Sequence, residues 1–174
     1  MAGVNATVGS LLGFLHEGPQ SGWDLMETAR ARIGDFWSLT RSQVYRELTG
    51  MAEGGLIATD STGVRDRRVY RLTDQGRATF RAWVSQPPGE ENIRYPLLLT
   101  LAFARHLPPD RLAEFLATHR AVHQGRWEAY RAQDEQARTA GAGPLDLVTL
   151  DFGLRYERAV LDWFDGLGDL AGNP

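Results

Sequence analysis

Apolar residues in the first third of the chain recur at intervals of three and four positions, the spacing that places side chains on one face of a helix. This pattern predicts helices over residues 4–16, from an N-cap at Ser21 to residue 33, and from an N-cap at Thr40 to residue 53. Serine and threonine are favoured N-caps because the hydroxyl accepts a hydrogen bond from a free backbone N–H of the first turn. A small helical domain is therefore expected at the start of the chain.

The next segment contains two short stretches of strand-forming residues. Residues 56–59 and 69–72 are predicted to be strands, and residues 60–68 between them are mostly polar, with one glycine and three arginines. This arrangement is typical of a β-hairpin with a basic tip. Thr73 is the expected N-cap of a fourth helix over residues 74–84. Three helices, a hairpin and a helix predict a mainly α fold with a small β-hairpin wing, the winged helix-turn-helix.

A change in composition marks a domain boundary at residues 87–92. This segment contains two prolines, a glycine and two glutamates, which is typical of a linker. Helical spacing beyond it predicts three further helices, over residues 96–106, 109–136 and 145–167. The last carries an apolar stripe longer than one small domain can bury, which favours coverage by a partner subunit. We expect a winged helix-turn-helix DNA-binding domain at residues 1–86 and a helical dimerisation and effector domain at residues 93–174.

The charge distribution along the chain is uneven. The formal net charge is −3, yet residues 39–81 contain eight arginines and five acidic residues. The chain has no lysine, so its basic charge is carried by arginine, which makes forked contacts with phosphate and guanine. Local positive charge on a predicted winged helix-turn-helix indicates a nucleic-acid partner.

Other classes of protein are disfavoured by the sequence. The absence of cysteine excludes disulfides and cysteine metal sites. No apolar run approaches the roughly 18 residues that span a bilayer, and residues 1–10 lack the features of a signal peptide. We therefore expect a cytoplasmic protein that does not bind membranes. Because neither a Gly-x-Ser-x-Gly elbow nor a phosphate-binding glycine loop is present, we expect no catalytic residues and no cofactor.

The third helix is the expected recognition helix, because short polar side chains and arginines at its start suit the major groove. The residues expected to contact DNA are Thr40, Arg41, Ser42, Gln43, Tyr45 and Arg46, with Arg65, Arg67 and Arg68 on the wing. An alternative for Tyr45 is that its ring packs in the domain and its hydroxyl reaches water. The wing arginines could instead form a solvated turn. The acidic net charge also leaves open a protein–protein interaction module without DNA-binding activity.

Aromatic residues are frequent in the second half of the chain. Four of them could line a pocket for a flat effector or form the dimer core, namely Trp127, Tyr130, Tyr156 and Trp163. The dimer core is the favoured interpretation because aromatic residues are enriched at interfaces. His119 and His123 lie four residues apart, a spacing that can bind a metal. Because no third ligand is evident nearby, we expect no metal site and a polar face of the dimerisation helix.

An ordered set of motifs within residues 7–84 resembles the PadR-like family of transcriptional regulators. The motifs are LLGFL at 11–15, GPQSGWDL at 18–25, FW at 36–37, SQVYREL at 42–48, GLI at 55–57 and RVYRLTDQG at 68–76. Residues 97–103 and 151–157 look like the longer-armed members. Trp23 departs from the pattern, since the family more often carries tyrosine there.

The resemblance implies a homodimer whose C-terminal helices embrace the partner subunit. It also implies repression of nearby genes, with release by small aromatic effectors in some members. A two-fold dimer bound to double-stranded DNA is expected to read a palindromic operator.

Overall fold

Helices make up most of the described structure, and a small three-stranded sheet lies in its first half. The computed structural model describes residues 4–34, 36–60 and 68–167. The chain divides into two units, residues 1–91 and 92–174. The prediction of a mainly α fold with a small β-hairpin is therefore confirmed.

The first helix, α1 (Ala6–Phe14), begins at an asparagine cap. The side-chain oxygen of Asn5 accepts a hydrogen bond from the Val8 N–H at 2.9 Å. The helix continues as a 3-10 turn, Leu15–Glu17, and ends at Gly18, whose φ of 142° favours glycine. The helix thus begins two residues later than predicted, because the Asn5 side chain satisfies a first-turn N–H group.

The helix-turn-helix consists of α2 (Gly22–Ile33) and α3 (Arg41–Glu53), and both helices begin at a capping box. In the first box, the Ser21 hydroxyl accepts from the Asp24 N–H at 3.3 Å, and the Asp24 carboxylate accepts from the Ser21 N–H at 3.1 Å. Thr40 begins α3 in the same way. Both predicted N-caps are confirmed, since capping depends on residues three apart in the sequence.

The sheet has the antiparallel order β1-β3-β2, with β1 at Gln20–Ser21, β2 at Ile57–Asp60 and β3 at Val69–Leu72. Ser21 of β1 and Asp60 of β2 both lie opposite Val69. The hairpin strands match the prediction to within one residue. The two-residue β1 was missed, because it is defined by pairing with residues distant in the sequence.

The fourth helix, α4 (Asp74–Val84), is tied to the sheet at its start and to α1 near its end. The Thr73 hydroxyl accepts from the Gly76 N–H at 3.0 Å, as predicted for its N-cap. Near the other end, the indole of Trp83 lies against Gly9, where an added Cβ would stand 2.4 Å from the ring. Glycine at position 9 therefore allows α1 and α4 to approach closely.

The core of the first unit is built from α1, α2, α3 and the sheet. Its most deeply buried large side chains are Leu11, Leu12, Leu15, Leu25, Val44, Leu48 and Met51. Burying one such side chain stabilises a fold by about 1.5–3 kcal/mol. Since three of them belong to α3, the core also fixes which face of that helix points outward.

The second unit contains α5 (Pro96–Leu101), a 3-10 turn at Ala104–His106, α6 (Pro109–Thr139) and α7 (Pro144–Gly166). The single helix predicted over residues 96–106 is therefore in two pieces. The long helix α6 continues three residues beyond its predicted end.

Helices α6 and α7 form an antiparallel hairpin. The Arg120 guanidinium, early in α6, contacts the Asp165 carboxylate late in α7 at 2.7 Å. Later in α6, the Tyr130 ring lies against Gly153, where an added Cβ would stand 2.8 Å away. These contacts fix the register of the two helices over most of their length.

Candidate nucleic-acid interface

Helix α3 is buried along one face and exposed along the other. Val44, Leu48 and Met51 point into the core at intervals of four and three residues. The side chains expected to contact DNA and exposed on the opposite face are Arg41, Ser42, Tyr45 and Arg46. The structure therefore places four of the expected residues together on one accessible face.

The two remaining residues expected on this helix, Thr40 and Gln43, form its capping box. The Gln43 Oε1 atom accepts from the Thr40 N–H at 2.9 Å and from the Thr40 hydroxyl at 2.9 Å, while the Gln43 N–H donates to the Thr40 hydroxyl at 3.3 Å. Thr40 and Gln43 thus position the first turn of α3. Direct contact of either residue with DNA stays a prediction.

Tyr45 joins the two helices of the helix-turn-helix. Its ring lies over Gly22, where an added Cβ would stand 2.9 Å from Cε1. The Arg41 guanidinium lies over the same ring, 5.6 Å from its centroid. Tyr45 is nevertheless 39% exposed and lines a shallow open recess with Arg41 and Ser42. The ring therefore packs in the domain while the residue stays accessible, so the two interpretations of Tyr45 are compatible.

The charges around α3 leave arginine donors available. Arg46 contacts the neighbouring Glu47 at 3.1 Å, but its side chain is well exposed. A single exposed contact of this kind contributes little stability. Its guanidinium carries five N–H donors, so the contact leaves donors for a further acceptor.

The predicted wing residues are only partly covered by the structure. Arg65 and Arg67 lie outside the described residues, whereas Arg68 is exposed immediately before β3. The two hairpin strands carry an ion pair between Arg71 Nε and Asp60 Oδ2 at 3.2 Å. The sequence analysis did not single out Arg71, because it lies opposite Ala58 in the ladder and reaches Asp60 only diagonally.

The aromatic residues predicted for the second unit have different surroundings. Trp127 carries the Arg131 guanidinium 4.8 Å from its ring, and Trp163 lies edge-on to Phe164 at 4.8 Å. Tyr130 packs on α7, as described above. Contact of these side chains with an effector or with a partner subunit stays a prediction.

Tyr156 is the centre of a stack of three nearly parallel rings. Its centroid lies 6.4 Å from that of Tyr95 and 6.3 Å from that of Phe152. Burial and a hydrogen bond with Tyr95 raise the pKa of the Tyr156 hydroxyl above its ordinary value. The hydroxyl therefore stays protonated at neutral pH, and it can donate a hydrogen bond.

A buried carboxylate in α7 was not expected from the sequence. Glu157 is among the buried residues and faces His123 of α6. The Nδ1 atom of His123 is thus directed at Glu157, while His119 is exposed. Within residues 4–34, 36–60 and 68–167, no three His, Cys, Asp or Glu residues form a metal-binding group. Among the same residues, no helix has the length and apolar character that a membrane crossing needs.

Sequence profiles of known families match both structural units. A profile of the transcriptional regulator PadR-like family matches residues 11–82, and a profile named virulence activator alpha C-term matches residues 93–167. Residues 11–82 of the chain belong to the PadR-like family of transcriptional regulators. Members of this family regulate transcription and are not enzymes.

Relatives of this PadR-like chain include a protein of Bacillus subtilis (strain 168), the negative transcriptional regulator PadR. The two are 25% identical over 170 residues, which cover 91% of this chain and 93% of the relative. The crystal structure of B. subtilis PadR in complex with operator DNA has a TM-score of 0.84 at 20% identity, covering 96% of this chain and 99% of that chain. Its complex with p-coumaric acid has a TM-score of 0.74 at 20% identity, covering 98% and 99%. The likeness to these structures establishes the fold.

Proposed function

We propose that this PadR-like regulator is a repressor that binds a palindromic operator in double-stranded DNA as a homodimer. The observation that carries the proposal is the accessible face at the start of α3. The core holds one side of this helix, and arginine, hydroxyl and phenol groups occupy the other. Such groups match the acceptors of base edges and phosphates in the major groove.

The proposal assigns each site residue a place on the DNA. Arg41, Ser42, Gln43 and Arg46 face bases or phosphates in the major groove, with Thr40 and Tyr45 at its edge. The wing places Arg65, Arg67 and Arg68 along the flanking backbone or minor groove. The operator complex of B. subtilis PadR supports this assignment by its fold.

The second unit is proposed to join the subunits. Large apolar side chains exposed among its described residues include Leu98, Leu99, Phe103, Val122, Leu145, Val148 and Phe152. Exposed apolar surface of this extent is characteristic of an interface. We assign DNA binding to residues 1–86, a linker to residues 87–92, and dimerisation with effector binding to residues 93–174.

The proposal also includes repression of transcription and release from DNA by an effector. The name of B. subtilis PadR, a negative regulator, supports repression, and its complex with p-coumaric acid supports a small aromatic effector. The four aromatic residues at 127, 130, 156 and 163 are the candidates for the pocket or the dimer interface. An effector acts only if it binds the DNA-free arrangement more tightly than the bound one.

Fluorescence anisotropy with DNA from upstream of the protein's own gene tests the proposal. The full-length chain should bind this DNA more tightly than a scrambled duplex, and the affinity should fall steeply between 50 and 200 mM salt, by about 10³-fold or more if six phosphates are contacted. Adding p-coumaric acid as the probe should dissociate the complex. Failure to bind either duplex at low salt would instead indicate a protein–protein interaction module, and equal affinity for both would refute sequence-specific binding. Unchanged DNA affinity in p-coumaric acid would remove that acid as the effector.

A further inference from the structure

The capping box at the start of α3 fixes the orientation of the Gln43 amide. A backbone N–H can only donate, so the Gln43 atom that lies 2.9 Å from the Thr40 nitrogen is the carbonyl oxygen. The Thr40 hydroxyl donates to the same oxygen at 2.9 Å. Two donors are thus directed at Oε1, and the amide cannot rotate by 180° without losing both hydrogen bonds.

The amide nitrogen of Gln43 is left with its two hydrogens. Within residues 4–34, 36–60 and 68–167, no hydrogen-bond partner is recorded for Nε2. The side chain is half-buried against the N-terminal turn, the end of a recognition helix that enters the major groove. Gln43 therefore carries an unused donor at the position from which base edges are read.

We propose that Gln43 reads DNA as a hydrogen-bond donor alone and selects guanine in each half-site. A glutamine with both amide atoms free pairs with adenine through an acceptor and a donor. Here the acceptor is occupied by Thr40, so the two-bond contact with adenine is lost. Guanine presents two acceptors, N7 and O6, on the same edge and is the base that a lone amide nitrogen fits best. This inference rests on the proposed DNA-binding function and adds the base preference of one position.

The variant Gln43→Glu separates the two roles of the residue. Glutamate at this position keeps a carboxylate oxygen for the Thr40 N–H and is favoured in capping boxes, but it has no donor when ionised. Selection of duplexes from a random pool by full-length protein should show one guanine per half-site that depends on Gln43. In Gln43→Glu, the preference for that guanine should fall by at least about fivefold, whereas the other positions should stay as they are.

Two control variants distinguish base reading from charge and from helix stability. Thr49→Glu adds the same charge on the exposed face of α3, farther from the cap, and should weaken binding without changing the base preference. Gln43→Leu removes both the donor and the side-chain half of the capping box, while the Thr40 hydroxyl still accepts from the backbone N–H of residue 43. It should lose the same guanine preference as Gln43→Glu and, in addition, unfold at a lower temperature.

Replacing the selected guanine by 7-deazaguanine tests the donor directly. The modified base lacks the N7 acceptor, so the wild-type affinity should fall by about fivefold, and the affinity of Gln43→Glu should not change. A Gln43-dependent preference for adenine, or an unchanged preference profile in Gln43→Glu, would overturn the inference while leaving DNA binding in place. Failure of the wild-type protein to select any sequence would instead overturn the proposed function itself.

Discussion

The Nδ1 atom of His123 lies 2.5 Å from Oε2 of Glu157, whose residue is only 2% exposed between α6 and α7. The other carboxylate oxygen lies 3.9 Å from a guanidinium nitrogen of Arg126. The Tyr156 and Phe164 rings lie beside the imidazole, at 6.5 and 5.9 Å between centroids. The second unit therefore encloses a polar contact between its two long helices, surrounded by aromatic side chains.

Removing His123 should destabilise the helical hairpin. In His123→Ala the buried carboxylate keeps, among the described residues, the longer contact with Arg126, so the free energy of unfolding should fall by about 2–3 kcal/mol. Chemical denaturation at fixed protein concentration measures the change. The exposed pair of Arg155 and Asp151 is the matched control, and Arg155→Ala should cost less than about 1 kcal/mol. Equal losses of unfolding free energy in the two variants would show that the contact between His123 and Glu157 stabilises no more than an exposed ion pair.

Gly9 should not tolerate a side chain. In Gly9→Ala the new Cβ would stand 2.4 Å from the Trp83 indole, so the indole or the two helices must shift and stability should fall by about 1–3 kcal/mol. Thermal unfolding followed by circular dichroism measures this. At Gly50, also in a helix, an added Cβ meets no atom of the described residues within 4 Å, so Gly50→Ala should stabilise by about 0.5–1 kcal/mol. An unchanged unfolding temperature in Gly9→Ala would show that the contact between Gly9 and Trp83 can adapt to a side chain.

The hydroxyl of Tyr45 is expected to contact DNA while its ring packs on Gly22. Tyr45→Phe keeps the ring and removes the hydroxyl, so the unfolding temperature should stay within a degree or so and DNA affinity should fall by about three- to tenfold. Anisotropy at constant salt provides the measurement. If affinity is unchanged in Tyr45→Phe, the residue serves packing alone.

A charge on the exposed apolar face of the second unit should separate the subunits. Phe152 is 67% exposed, and in Phe152→Glu the carboxylate would be buried at the proposed interface at a high cost. Sedimentation velocity should show a shift from dimer towards monomer. Val84 of the first unit is similarly exposed, at 58%, and Val84→Glu should leave the sedimentation coefficient unchanged. A wild-type chain that sediments as a monomer would refute the homodimer.

The wing is expected to contact phosphate. Replacing Arg65 and Arg67 by alanine should weaken binding to all duplexes and reduce the slope of log affinity against log salt by about 2. Arg30 supplies the control, because it is exposed and pairs with Glu27 on α2 at 2.9 Å. Arg30→Ala should leave the slope unchanged. A slope that stays the same in the double variant would place the wing away from the backbone.

Local signals in the sequence predict much of the first unit. The caps at Ser21, Thr40 and Thr73 follow from hydrogen bonds that span three residues, so a short stretch of sequence contains both partners. The α3 core stripe follows from helical spacing in the same way. These signals also identify the accessible start of α3, and thus the expected DNA-binding face.

Contacts between distant residues explain what the sequence did not reveal. β1 exists because Ser21 pairs with Val69, and the buried Glu157 meets His123 because α6 and α7 are antiparallel. Neither pairing leaves a local pattern of hydrophobic and polar positions. The orientation of the Gln43 amide is a further example, since it depends on the hydrogen bonds of Thr40 and not on residue type alone.

Ser21 belongs to two structures at once, because its backbone is in the ladder with β3 and its hydroxyl caps α2. The sheet and the start of the helix-turn-helix therefore share one residue, without a linking segment between them. A displacement of β3 should displace the start of α2 as well. We therefore expect strand β3 and the start of α2 to move together as one body when the chain meets DNA.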